Sequence, residues 1–201
     1  MSTQQLPTLF QLTGSEHGPA NWQEAVLIII DAQNEYRIGD MRLPNVEPAT
    51  AQISLLLAKA RAEQTPVIHI RHMGVVGYLF DPEGPRGQIF DELAPLVGEV
   101  VIDKPLPNAF AQSNLHNVIK NTQRSALIVC GFMTHMCVSA TVRAAKDLGY
   151  RSTVVAAACA TRPLPGVDQQ VVDAEALHNM ELAALADFFA CVVPTAEELG
   201  A

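Results

Sequence analysis

Short runs of consecutive apolar residues alternate along the chain with longer stretches whose apolar positions recur every three or four residues. The runs are Ala25–Ile30 (AVLIII), Pro66–Ile70 (PVIHI), Glu99–Asp103 (EVVID), Ala126–Phe132 (ALIVCGF), Ser152–Ala158 (STVVAAA) and Ala190–Val193 (ACVV). They are rich in β-branched residues and show little polar alternation, the pattern of strands covered on both faces. Between them, residues 49–64, 113–123, 134–149 and 172–188 read as helices. In the third stretch, Met136, Ala140, Val142, Arg143 and Ala144 precede a stop at Gly149. The last carries Leu177, Leu182 and Leu185 at near-helical spacing. Strand–helix alternation predicts an α/β fold: three α-β-α layers around a six-stranded, mostly parallel sheet. Residues 1–22 read as a loose N-terminal arm and residues 23–201 as a single domain. Residues 72–97, with glycines at 74, 77, 84 and 87, form a long excursion of the kind that serves as a functional lid.

Composition narrows the class. A chain of 201 residues that is 49% hydrophobic suits one domain, able to bury roughly 70% of its unfolded surface without disulfides or a structural metal. The 13 basic and 21 acidic residues leave a net charge of −8, and no basic run of five occurs. A nucleic-acid or anionic-membrane surface is therefore not expected. The opening MSTQQLPTLF has neither a cationic region nor an apolar core, so no signal peptide is expected. No apolar run approaches the ~20 residues of a membrane span, and a cytoplasmic protein is the expectation. The four cysteines, Cys130, Cys137, Cys159 and Cys191, form no C-x-x-C pair, which argues against a disulfide framework or a zinc ribbon.

In a sheet of this kind, sites form outside the carboxyl ends of the strands. The first strand ends at Asp31. The third ends at Asp103-Lys104-Pro105. The fourth reaches Gly131, and Cys137 follows in the first turn of the next helix. Each residue has a plain reading: Asp31 as a turn residue binding backbone amides, Lys104 as a solvated lysine, Cys137 as a small buried hydrophobe. Together they also make a coherent nucleophile site. The thiolate is the reactive form of cysteine, and a free thiol has a pKa of about 8.5. A helix first turn and a nearby ammonium both favour the anion. Asp31 would accept the thiol proton or orient a water, and helix-end N–H groups would bind an oxyanion. No G-x-G-x-x-G follows the first strand, so a dinucleotide cradle is disfavoured.

The segments LIIIDAQNEY, VIDKPLPNAF and LIVCGFMTHMCVSATVRAAKDLGYRSTVVAAACAT resemble the isochorismatase-like cysteine hydrolase superfamily, which includes nicotinamidases and N-carbamoylsarcosine amidase. The resemblance runs from about Ala25 to Pro194. It implies a catalytic triad of Asp31, Lys104 and Cys137, with a thioester on Cys137, Asp31 as base and acid, and Lys104 stabilising charge. It implies a non-prolyl cis peptide at Met133–Thr134 that aims the Thr134 and Cys137 N–H groups at one oxyanion, and a homodimer or homotetramer. Nicotinamidases hold a metal through Asp-x-His; Asp31-Ala32-Gln33 departs from this, so no metal and no other cofactor are expected. His69 is expected to be structural. Many relatives carry serine where this chain has Asn108. Pocket-wall candidates are Tyr36, His72, Tyr78, Phe80, Phe110 and Thr134. Arg71 and Arg86 are candidates for a substrate carboxylate. The other three cysteines fit packing. The leading reading is a metal-independent hydrolase of a small amide. A vinyl-ether hydrolase of the isochorismatase type, in which Cys137 would be dispensable, and a non-catalytic or redox-sensing relative are the alternatives.

Overall fold

The computed structural model describes residues 6–199. The strands are β1 (Ala25–Ile30), β2 (Val67–His72), β3 (Val100–Lys104), β4 (Ala126–Phe132), β5 (Arg151–Ala160), β6 (Leu164–Pro165), β7 (Val171–Val172) and β8 (Cys191–Val193). Six of them form one sheet in the order β3-β2-β1-β4-β5-β8, and every pairing in it is parallel. β6 and β7 form a separate small antiparallel hairpin. The helices are α1 (Leu9–Thr13), α2 (Glu35–Ile38), α3 (Val46–Ala62), α4 (Leu115–Asn121), α5 (Ser139–Asp147) and α6 (Ala174–Phe188).

The continuous apolar runs of β1 and β4 follow from burial on both faces, since every residue in both strands is buried. Successive side chains point to opposite faces. Ala25, Leu27 and Ile29 pack in the layer that holds Ile53, Leu56, Leu57 and Ala60 of α3. Val26, Ile28 and Ile30 face the layer of Ile119 from α4, Val142 and Ala145 from α5, and Leu185 from α6. The three-layer α-β-α expectation is thus met, with a sheet that is wholly rather than mostly parallel. The strand order reverses direction between β1 and β4, and such a switch point opens a crevice at the carboxyl edge. Gly131 permits the close approach there: a Cβ at this position would lie 2.1 Å from the Ile30 carbonyl oxygen, and its φ of +115° suits only glycine.

The N-terminal residues differ from the loose arm the sequence suggested. A reciprocal cap between Thr8 and Gln11 starts α1. Phe10 is buried against Phe188 at 5.1 Å, and the Leu9 N–H donates to Asp187 at 2.7 Å. Trp22 is also buried, and its carbonyl accepts from the Thr65 hydroxyl. Two widely spaced apolar anchors, Phe10 and Trp22, leave no periodicity to read, which is why the docking was not legible. The excursion after β2 is likewise fastened. Phe90 and Leu93 are fully buried, each burial contributing about 1.5–3 kcal/mol. The Phe90 N–H donates to the Ala32 carbonyl and the Asn34 N–H to that of Gln88. Its tip, around Val75, Val76 and Tyr78, and its end at Leu96 and Val97 are strongly exposed. No helix among the described residues is long and apolar enough to cross a membrane.

Candidate active site

Asp31, Lys104 and Cys137 meet at the switch point. Asp31 directly follows β1. Its N–H donates to the Ile70 carbonyl at 2.9 Å, extending the ladder by one residue. Its φ of +50° then turns the chain out of the sheet. Lys104 closes β3, in register with His72 at the end of β2. Its ammonium lies 2.7 Å from Asp31 Oδ2 and 3.3 Å from His72 Nδ1 and donates to Cys137 Sγ at 3.4 Å. Asp31 and Lys104 are 0% exposed and Cys137 is 5% exposed. The Asp31–Lys104 contact is an ion pair off the line of a good hydrogen bond, so both carboxylate oxygens keep lone pairs without a well-formed partner.

The turn that presents Cys137 differs from the expected first α-helical turn. Thr134–Val138 forms one π-helical turn before α5, a widened geometry frequent at functional sites. The Met133 carbonyl accepts from both the Met136 and Val138 N–H groups. The cis peptide lies at Phe132–Met133, one residue before the expected Met133–Thr134. The physical reason is that β4 ends at Phe132, so Met133 already belongs to the turn. Thr134 is fully buried, and its hydroxyl pairs with His178 Nδ1 at 2.8 Å.

The electrostatics correct a second expectation. Burial pushes the Cys137 thiol up to about 12, and the Asp31 charge adds to the rise, outweighing the opposing pull of Lys104. The site therefore disfavours the thiolate, because a helix end and one ammonium do not offset desolvation beside a carboxylate. Burial also raises Asp31, with Lys104 pulling it back. Burial and the Lys104 charge lower His72. Tyr36 is buried against Phe80 and Phe132 at 5.2 and 5.5 Å. Burial, then the Asp31 charge, holds its phenol well above the usual tyrosine range.

The remaining candidates separate. His72, Tyr78 and Phe80 line an open depression of ≈ 550 Å³ with Gly74, Val75 and Leu79. Phe110 stacks on Tyr150 at 6.0 Å, a packing contact in the layer that also contains Cys137. The two arginines are committed elsewhere. Arg71 makes a bidentate pair with Asp103 on the neighbouring strand. Arg86 holds the Tyr78 carbonyl and Asp40, with Glu35 at 3.6 Å. His69 is buried against Glu99 at 3.0 Å, a structural contact. Two residues that shape the site were not singled out from the sequence. Buried Gln33 accepts from the His72 N–H at 2.8 Å and donates to the carbonyls of His72 and Gly87 at 3.0 and 2.8 Å. Buried Glu35 accepts the Phe80 N–H at 3.1 Å. The signal was present in the polar density of DAQNE directly after a buried strand. Among the described residues, no three His, Cys, Asp or Glu side chains converge as metal ligands.

This geometry sets a thiol and a carboxylate beside one ammonium, all three shielded from water. A family model, the isochorismatase domain, matches residues 25–197. The chain is 36% identical over 183 residues to the secreted isochorismatase effector Isc1 of Verticillium dahliae, covering 90% of this chain and 94% of that one. It is 25% identical over 169 residues to the ureidoacrylate amidohydrolase RutB of Pseudomonas syringae, covering 66% and 69%. The fold superposes on the crystal structure of an isochorismatase from Pseudomonas putida with a TM-score of 0.93, at 50% identity over 96% and 99% of the two chains.

Proposed function

The chain belongs to the isochorismatase family, and from that membership and the site geometry we propose a hydrolase that opens a C–N bond of a small amide through a thioester on Cys137. The observation that carries this reading is one buried ammonium, Lys104, within reach of both a carboxylate and a thiol. In the first half, Sγ attacks the substrate carbonyl carbon while its proton passes to Asp31, whose oxygens have free lone pairs. Asp31 then delivers that proton to the nitrogen as the C–N bond breaks and ammonia or an amine departs. In the second half, water attacks the thioester, Asp31 takes its proton, and the acid is released as the thiol is restored. Lys104 remains charged throughout. The N–H groups of Thr134 and Cys137 are the proposed oxyanion donors, and Tyr36, His72, Tyr78 and Phe80 the proposed walls. A thiol that is neutral at rest suits this cycle, since the proton needed by the leaving nitrogen starts on the nucleophile.

A relative named for amidohydrolase activity supports the C–N reading. The raised Asp31 carboxyl favours one other chemistry, in which a protonated Asp31 donates to a vinyl ether and Cys137 is idle. A buried neutral thiol argues against redox sensing, which relies on an accessible thiolate. The four cysteines are free and suit a reducing compartment, although the relative from Verticillium dahliae is named as secreted. The test is a panel of primary amides and ureido acids, read by ammonia or amine release and by mass of the trapped Cys137 acyl adduct. Adduct and release should both vanish in Cys137→Ala. Undiminished turnover in that variant, with loss in Asp31→Asn, would transfer the assignment to ether chemistry.

A further inference from the structure

The hydrolase scheme uses Lys104 as a fixed charge but leaves open what fixes it. An ammonium has three hydrogens and no lone pair. Lys104 is 0% exposed, so no solvent receives a hydrogen left over. Its neighbours are Asp31 Oδ2 at 2.7 Å, Cys137 Sγ at 3.4 Å and His72 Nδ1 at 3.3 Å. The three donors thus have three electron-rich neighbours: the carboxylate of the ion pair, the sulfur and the imidazole nitrogen. An imidazole nitrogen accepts only if it carries no proton, which places the His72 hydrogen on Nε2.

We propose that His72 is the acceptor for the third ammonium hydrogen of Lys104, that it works as the neutral Nε2–H tautomer, and that it is a positioning residue of the hydrolytic site. Its own position is built from rigid parts. His72 and Lys104 are register partners at the carboxyl ends of adjacent strands. The Gln33 carboxamide grips the His72 backbone on both sides, accepting its N–H and donating to its carbonyl. The Phe80 ring packs edge-on against the imidazole at 5.0 Å, and Glu35 holds the Phe80 N–H. The charged groups facing the ring are Lys104 from β3 and Asp31 from the end of β1. The excursion faces it with Phe80 and, across the depression, Tyr78. Burial and the Lys104 charge both oppose protonation of the ring, which keeps the acceptor available at neutral pH. Once protonated, His72 would turn a donor toward an ammonium and release it from its place, so the acid limb of turnover belongs to this ring. With Nδ1 engaged, Nε2–H is left as a neutral donor on the residue that lines the depression.

The tautomer does not depend on the hydrolase reading; the positioning role rests on it. The first experiment is therefore substrate-free: nitrogen-detected NMR of the full-length protein with ¹⁵N-histidine, the His72 signals being assigned by their loss in His72→Asn. The expected result is the Nε2–H tautomer at pH 7, with protonation only below the ordinary histidine range and moved upward in Lys104→Met. An Nδ1–H tautomer or an imidazolium at pH 7 overturns the proposal. The second experiment uses an amide that the wild-type protein turns over. His72→Leu fills the space without an acceptor and should lower kcat by about 10-fold or more, the cost of one charge-assisted hydrogen bond, a larger effect than its change in KM as a pocket wall. His72→Asn restores an acceptor near the Nδ1 position and should recover most of kcat while losing the acid limb. A Leu variant as active as wild type, or an acid limb unchanged in His72→Asn, overturns the positioning role. Failure of every amide with the wild-type protein counts against the hydrolase reading alone, and the NMR result still decides the acceptor.

Discussion

The strand β3 is flanked by two acid–base clusters, one just before its first residue and one at its last, and they are built differently. Before it, Glu99 accepts two hydrogen bonds from Arg61 at 2.7 and 3.0 Å, one from the Leu96 N–H at 2.9 Å, and pairs with His69 at 3.0 Å. At its end, Lys104 faces Asp31, whose oxygens have the ion pair and no well-formed hydrogen bond. Burial pushes both carboxylates upward. At Glu99 the donors outweigh it and bring the group down to about 2; at Asp31 Lys104 does not, and the group stays raised. A carboxylate with all its donors is a fastener. One with a charge beside it and lone pairs to spare suits the base proposed for the reaction, with the thiol 3.4 Å from the same ammonium.

The largest effect separating the two clusters is on turnover. Cys137→Ala should reduce amide hydrolysis by about 10³-fold or more, whereas Glu99→Gln should leave kcat within a few-fold, as steady-state kinetics on the same amide would show. Stability comes next. Asp31→Asn or Lys104→Met alone leaves a buried charge unpaired and should cost about 3 kcal/mol, while the double variant should return to within about 1 kcal/mol of wild type or exceed it. Glu99→Ala should cost about 2 kcal/mol, and adding Arg61→Ala should not restore it, because Arg61 also holds the Ala94 carbonyl. Denaturant unfolding of the five variants beside wild type checks both halves of that statement.

The pH dependence has opposite signs at the two clusters. Glu99 is depressed in the folded protein, so its contribution is full above the ordinary 4.5 and is lost as pH falls toward about 2. Asp31 is raised, so the native state holds the extra proton and stability declines as pH climbs above 3.8. Glu99→Gln should therefore flatten the acid limb of the unfolding midpoint between pH 4.5 and 2, and Asp31→Asn should not. The smallest effect is on thiol reactivity. With its thiol pushed up to about 12, Cys137 should not stand out toward iodoacetamide at pH 7. Removing the Asp31 charge in Asp31→Asn should speed its alkylation modestly at fixed pH. Rapid alkylation of Cys137 alone at pH 7 in the wild-type protein would break the picture of a base-assisted neutral thiol.

Much of this was legible in the chain because burial on both faces writes itself as uninterrupted apolar sequence. The runs Ala25–Ile30 and Ala126–Phe132 coincide with β1 and β4 to the residue. The half-exposed β3, with Val100 and Val101 partly solvated, is offset by one. Strand ends in turn located Asp31 and Lys104, since polar residues right after such runs fall on the carboxyl edge. Properties that depend on distant partners were not legible. Arg71 and Arg86 look alike as free cations until Asp103, Asp40 and the Tyr78 carbonyl are seen to occupy them. Phe110 reads as a pocket aromatic until Tyr150 is found stacked on it. The direction of the Cys137 shift depends on the balance of burial, carboxylate and ammonium, which no spacing encodes.

The placement of β1 between β2 and β4 has a consequence for the order in which the molecule is made. Ala25 pairs with Ala126, and the acid from the first strand meets the thiol only after nearly the whole intervening chain, with its crossovers and the excursion, has found its place. Contacts of such long sequence separation form late and set a slow pace for folding. Any chemistry that needs all three side chains is thereby absent until that centre closes: the emerging polypeptide carries the aspartate, then the lysine, then the cysteine as unrelated side chains.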